Sequence, residues 1–384
     1  MIGLGTNRTS AEFDDVVVRG IAVPEETLTL TAPVDYQVIQ RDPVQENGIV
    51  QLSGKVELGT PVTIEAQVLD YTEKTVVVGW TPVAENAVGA WSGTLTVPQG
   101  GWYVLELRAV GGDGSVLETL QSENRWGVGI NILCIGQSNM VGQGKGTATV
   151  ADDRVAKYNG SWVHLKDPYD GAGNSLVPAM ANLLVDKLDL PIGIIPAADS
   201  GSGLHAPNIG HSANRYWMYY NVSNPFDTGT LYGKAVSRAT GAGGVELAIW
   251  NQGETDGRLE ISQAVYEADM RTLLSRLRTD LDNESLPIFL CQIGTHDTNI
   301  SNDAAYTEIR SAQHDLDDGK DFFLAATEME FERQDTAHYT TAGLNEIGRR
   351  VANSILYYYG ASDYYRGPYI ESADYADSTR QVVN

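Results

Sequence analysis

From residue 130 onward the chain repeats one alternation, and few folds satisfy it. Short continuous apolar runs, Ile130–Ile135, Ile192–Ala197, Val245–Trp250, Pro287–Ile293 and Phe322–Ala326, are separated by stretches with helical spacing. The helical stretches are Val177–Leu188, Ile261–Leu281, Asp303–Leu316 and Thr341–Tyr358. In the last of them Leu344, Ile347, Val351 and Ile355 share one face, and Thr340 or Thr341 can cap its start. Strands apolar along their whole length are buried on both faces, so strand–helix alternation predicts a parallel sheet covered on both sides by helices.

Upstream the period differs. Between about Pro33 and Arg125 apolar residues alternate, with Val62, Ile64, Ala66 and Val68 on one face and Tyr103, Leu105, Leu107 and Ala109 on another. Gly and Pro recur as turn signals, which predicts a small antiparallel β-sandwich of the immunoglobulin or fibronectin-III type. The expected organisation is residues 1–30 as remnant strands of a preceding jelly-roll-like domain or linker, 31–128 as the β-sandwich, 129–360 as the α/β domain, and 361–384 as a tail that could open a further β-domain. With 384 residues, two compact units can each bury a core. Ends of this kind suit an excised piece of a larger secreted, modular protein, whose signal peptide would lie outside it.

A net charge of −24 with no Lys/Arg-rich run argues against nucleic-acid binding and against docking to anionic membranes. No stretch approaches the length of a membrane-spanning helix. Cys134 and Cys291 each sit inside an apolar run and are expected as buried free thiols.

The chemistry is expected where apolar runs end. Gly136-Gln137-Ser138-Asn139-Met140 directly follows the first run, which places Ser138 on a turn at the carboxyl end of a buried strand, where open α/β sheets carry reactive groups. A lone serine there is equally a strand terminator or a helix cap. Trp250-Asn251-Gln252-Gly253-Glu254 ends another run, and Asp335-Thr336-Ala337-His338 precedes the last helix. Of the six histidines only His338 has an Asp three residues before it, a spacing that brings the carboxylate to the ring from one side and fixes its tautomer.

These three ordered segments, spanning roughly Asn131 to Tyr358, resemble the SGNH (GDSL-like) hydrolase superfamily, and within it the sialate O-acetylesterase-like group that includes carbohydrate esterase family 6. The resemblance implies a three-layer α/β/α domain with a central parallel sheet, and a triad of Ser138, Asp335 and His338. It implies an oxyanion hole from the Ser138 N–H, the Gly201 N–H and the Gln252 amide, with Gly203 and Asn251 as alternatives to the last two. Gly201 lies in Pro196–Gly203, where this chain departs most from the family pattern, since Ser200 stands where a glycine is common. Gln137, Asn139, Asn251, Glu254 and His205 are expected as loop braces or substrate contacts, and Tyr216, Trp217, Tyr219 and His211 as packing or sugar-stacking residues.

The implied activity is serine-dependent removal of O-acetyl groups from carbohydrate, with no metal or organic cofactor. Polysaccharide and sialic-acid-type glycans are both admissible substrates, and the sequence leaves the oligomeric state open. A lipid or small-ester hydrolase on the same fold, or a non-catalytic carbohydrate-binding module, are the rival readings. His164, His296 and His314 match no metal-ligand spacing, and no twelve-residue calcium loop stands out.

Overall fold

The computed structural model describes residues 27–206, 215–294 and 303–363. The expectations for residues 1–26 and 364–384, and for His211 and His296, lie outside the described residues. The chain is a mixed α/β protein with a large mixed sheet and seven helices among the described residues.

The strand that organises it is β9 (Trp126–Gly136), buried along its whole length. Its first half belongs to the upstream region, where Trp126–Gly129 run parallel to β2 (Gln37–Gln40) and meet β7 (Gly100–Val110). Its second half runs parallel to β12 (Ile192–Pro196) on one side and β13 (Leu247–Asn251) on the other. The change of period seen in the sequence therefore falls inside one continuous strand. Parallel pairing continues from β13 to β14 (Ile288–Gln292) and β15 (Phe322–Thr327). Beyond β12 the sheet is extended by β10 (Val155–Tyr158) and then by antiparallel β11 (Trp162–His164).

Alternate side chains of these strands enter two cores. Ile132, Cys134, Ile194, Ile249 and Phe289 pack with the apolar faces of α2 (Val177–Leu188) and α7 (Thr341–Tyr358). Leu133, Ile135, Ile195, Trp250 and Leu290 pack with α3 (Leu231–Gly241), α5 (Gln263–Asp280) and α6 (Asp303–Asp315). In α7 the predicted face of Leu344, Ile347, Val351 and Ile355 is fully buried, each side chain contributing about 1.5–3 kcal/mol by leaving water. Thr340 is the cap and accepts the N–H of Gly343. Both cysteines are buried and unpaired.

Upstream, β1 (Leu28–Ala32), β3 (Asn47–Val56) and β6 (Gly89–Pro98) form a three-stranded antiparallel sheet. Antiparallel β4 (Val62–Asp70), β5 (Val76–Ala87), β7 and β8 (Val116–Gln121) pair with one another and join the large sheet through β9. The two groups share a core that holds Leu52 and Val97 together with Ile64, Leu105 and Trp126.

Two stretches expected as connections hold regular structure. The segment Asp152–Ser175 contains β10 and β11, and His205–Gly244 contains α3. The glycines of α3 disguised its period. Thr230 nevertheless caps it through Gly233 N–H, and Gly233 is required because a Cβ there would lie 2.1 Å from the Asp227 carbonyl oxygen.

Candidate active site

The carboxyl ends of β9, β12, β13 and β15 converge, and each supplies a turn. After β9 the chain must reverse sharply while β13 runs alongside. Gly136 does this at φ 135°, where a Cβ would sit 2.1 Å from the Asn251 carbonyl oxygen, so only glycine fits. Gln137 N–H then donates to Asn251 O at 2.8 Å, and the short helix α1 (Ser138–Val141) begins. Ser138 is 7% exposed. The Ser138 N–H belongs to the first turn, which has no acceptor within the helix, and it meets none among the described residues.

The turn after β12 is tied to this one. The Gly136 carbonyl accepts both Asp199 N–H and Ser202 Oγ–H at 3.1 Å. Gly201 adopts φ 74°, and its N–H has no acceptor among the described residues. Gly203 differs, because its N–H donates to Arg215 O at 3.1 Å, and a Cβ there would lie 2.9 Å from the Tyr216 ring. Of the two glycines considered for this block, Gly201 is the one with an uncommitted N–H.

The turn after β13 lies beneath both. Gln252 has no exposed surface, and its Nε2 group faces three acceptors: Gln137 Oε1 at 3.2 Å, Ser202 O at 3.1 Å and Asp256 Oδ2 at 2.5 Å. With two hydrogens and three protein acceptors, the Gln252 amide has no N–H left over in this arrangement. Asn251 is equally enclosed and donates to Glu328 Oε1 at 2.7 Å. Gln252, expected as the oxyanion donor, and its alternative Asn251 are thus both engaged in internal hydrogen bonds; Gln252 lies between Tyr266 of α5, whose hydroxyl donates to its carbonyl, and the Ser202 carbonyl, which no local motif reveals.

Asp335 and His338 lie on the turn between β15 and α7. The Asp335 Oδ1 accepts the N–H groups of Ala337 at 2.9 Å and His338 at 2.8 Å, while Oδ2 meets His338 Nδ1 at 3.0 Å. Slight burial works against ionisation, but these hydrogen bonds outweigh it and hold the Asp335 carboxyl at about 2. Asn139 links this turn to the Ser138 turn, since its Nδ2 group donates both to Ala337 O at 3.2 Å and to Glu254 Oε1 at 2.8 Å. The residue after Ser138 thereby grips the residue before His338. A second link runs along the rim, where Gln334 Nε2 donates to Gln143 O at 2.7 Å and Gln334 Oε1 accepts Lys145 N–H at 2.8 Å.

The remaining expected residues divide. His205 is held by Asp269 at 2.8 Å through Nδ1, and its N–H bonds Asp256. Trp217 is buried edge-on against Trp250, Tyr216 is buried, and Tyr219 is exposed. His164 stacks on Tyr36 and its Nε2 meets Asp152 O, and His314 pairs with Asp315, both away from the four turns.

Two residues with no role expected from the sequence stand out. Asp256 accepts from Leu204 N–H, His205 N–H and Gln252, and burial pushes its carboxyl up to about 6 despite those bonds. Glu328, directly after β15, is fully buried; burial first and Glu254 second push its carboxyl well above the usual range. A carboxylate ending an apolar strand of a parallel sheet was the available signal for Glu328.

A family model described as carbohydrate esterase, sialic acid-specific acetylesterase matches residues 130–357. Among solved structures, a carbohydrate acetylesterase from Xanthomonas citri is 17% identical with a TM-score of 0.55, over 90% of this chain and 79% of that one, and shows a shared fold. A protein from Arabidopsis thaliana is 22% identical over 59% of this chain and 97% of that one, with a TM-score of 0.46. An acetyl xylan esterase from Geobacillus stearothermophilus is 14% identical over 62% of this chain and 97% of that one, with a TM-score of 0.34. No curated protein sequence matches the chain.

Proposed function

The chain belongs to the carbohydrate esterase, sialic acid-specific acetylesterase family, and on that premise we propose that it removes O-acetyl groups from carbohydrate through an acyl-enzyme on Ser138. The observation that carries this reading is the Asn139 side chain. It ties the turn of Ser138 to the turn of Asp335 and His338, which supports reading the serine and the carboxylate-paired imidazole as partners in one reaction.

The mechanism follows from what each group can donate or accept. With Nδ1–H given to the ionised Asp335, His338 Nε2 carries the lone pair and takes the Ser138 proton as Oγ attacks the ester carbonyl. The N–H groups of Ser138 and Gly201 receive the oxyanion, and Gln252 supports both by bracing Gln137 and the Ser202 carbonyl. The sugar alcohol departs with the proton from His338. Water then gives its proton to His338 as it attacks the acyl carbon; the bond to Ser138 Oγ breaks, the serine takes the proton back from His338, and acetate is released, with no metal or organic cofactor needed.

Acetylated polysaccharide or sialic-acid-type glycan is the proposed substrate class, met outside the cell. No described helix is long and apolar enough to cross a membrane. The test is labelling by a serine-reactive fluorophosphonate together with acetate release across a panel of acetylated glycans. Wild type is expected to label and to release acetate, and Ser138→Ala to do neither; equal labelling of the two proteins overturns the role of Ser138.

A further inference from the structure

Two asparagine–glutamate pairs lie behind the serine turn, and both leave the same remainder. Asn139 donates to Glu254 Oε1 at 2.8 Å, and Asn251 donates to Glu328 Oε1 at 2.7 Å. All four side chains are buried. In each pair the other oxygens, Asn139 Oδ1 with Glu254 Oε2 and Asn251 Oδ1 with Glu328 Oε2, are enclosed without a hydrogen-bond partner. Buried polar atoms normally find partners, and an ionised carboxylate offers nothing but acceptors, so it cannot pair these leftovers. A carboxylic acid brings one O–H, which serves two orphaned oxygens at once.

We propose that Glu328 is a protonated positioning residue whose Oε2–H donates to Asn251 Oδ1, closing an acid–amide ring between the end of β13 and the turn that carries His338. The proposal rests on the reading of Ser138 and His338 as the reacting pair. Asn251 supplies the carbonyl that holds Gln137 N–H, one residue before Ser138. Tyr339, one residue after His338, is buried beside Glu328, and its hydroxyl accepts Gly294 N–H at 3.2 Å. The acid thus stands between a neighbour of Ser138 and a neighbour of His338.

The groups around Glu328 favour the proton. Glu254 faces it from α4 (Glu254–Arg258), Cys291 from β14, and Tyr339 and Glu330 from its own turn. Arg333 acts on Tyr339, and Arg350 is paired with Glu330 at 2.5 Å. Two neighbouring buried carboxyls do not both ionise readily, and His338 favours the ionised form of Glu254, which leaves the proton with Glu328. Loss of that proton sets an anion against Asn251 Oδ1 and against Glu254, so the two turns part and kcat/KM falls as pH rises.

The test uses the full chain as wild type, Glu328→Gln, Glu328→Ala and Ser138→Ala. In infrared spectra at neutral pH, a protonated-carboxyl carbonyl band is expected in wild type and in Ser138→Ala, with one component missing in Glu328→Gln. Hydrolysis of 4-nitrophenyl acetate across pH is the second readout. Gln donates an N–H to Asn251 Oδ1 at every pH, so the alkaline fall of kcat/KM in Glu328→Gln is expected to vanish or to move up by about one pH unit or more, with the acid limb unchanged. Glu328→Ala, which restores neither bond, is expected to lose most activity; should it fail to fold, the Gln variant and the spectra still decide. An unchanged band in Glu328→Gln overturns the proton, and an unchanged alkaline limb overturns the positioning role. Activity retained by Ser138→Ala would sink the catalytic reading instead, while the band continues to report on Glu328.

Discussion

The two halves of the site are held in opposite ways. Around Ser138 the chain is enclosed: Gly136 accepts only a glycine geometry against Asn251, and Gln137 is hydrogen-bonded to the neighbouring strand end. Around His338 the side chains reach solvent, Asp335 being 40% and His338 27% exposed, and the turn is shaped by one carboxylate accepting from its own next residues. Ser138, the proposed nucleophile, is therefore placed by pairing between distant strands and His338, the proposed base, by a local turn, with Asn139 as the bridge between the two turns. A change on the enclosed side endangers folding and rate together, whereas a change on the open side endangers chiefly the rate.

That contrast sets an order of expected effects. His338→Ala is expected to lower kcat by about 10³–10⁶-fold with an unchanged thermal midpoint, and a large drop in that midpoint would break the contrast. Asp335→Asn is expected to lower kcat by roughly 10²–10⁴-fold, because the imidazole loses both its tautomer and its anchor. Near-normal kcat in that variant would show that the base turn does not depend on its carboxylate. Asn139→Ala is expected to cost about 10–100-fold in kcat, since a small misplacement of reacting groups has effects of that order. It should also destabilise the fold, because Glu254 loses its donor; a change in rate without one in stability would place Asn139 on the open side.

The smallest expected effect is an acid one. The Asp335 carboxyl is at about 2 in the folded chain against an ordinary 3.8, so its ionised form is favoured by folding. Its contribution to stability is present above about pH 3.8 and disappears as pH falls toward 2. Because the side chain is well exposed, solvent screening keeps this contribution small. Comparing the acid unfolding of wild type and Asp335→Asn checks it, and parallel curves would mean that the turn is held by something else.

Much of the α/β part was readable from residues. The helix boundaries Val177–Leu188 and Thr341–Tyr358 emerge directly because amphipathic stretches of this length leave little choice of period, and Thr340 caps the second. The four turns at strand ends were likewise placed, because an apolar run must stop where polar residues begin. α3 was missed since Gly233 serves close backbone packing rather than a turn, and β10 and β11 because strands of three or four residues carry too few side chains to show a period. Glu328 and Asp256 were missed for another reason: the place of a carboxyl past an apolar strand can be read from the sequence, as for Glu328, but its burial cannot.

In the site the division is similar. Residue types and their order single out Ser138, Asp335 and His338 as candidates, since a hydroxyl past a strand and an Asp three residues before a His are local patterns, and the family resemblance of the ordered segments is what implies a triad. Which amides remain free to donate is a matter of three-dimensional occupancy. Gln252 and Asn251 carry the right chemistry in the right motif, yet packing points their N–H groups at Asp256, Ser202, Gln137 and Glu328. Gly201 and Gly203 are equivalent as letters, and they part company because Arg215 takes one N–H and leaves the other. A hydrogen bond is a pairwise contact between residues far apart in the chain, so its donors can be named along the sequence while its acceptors exist only after folding.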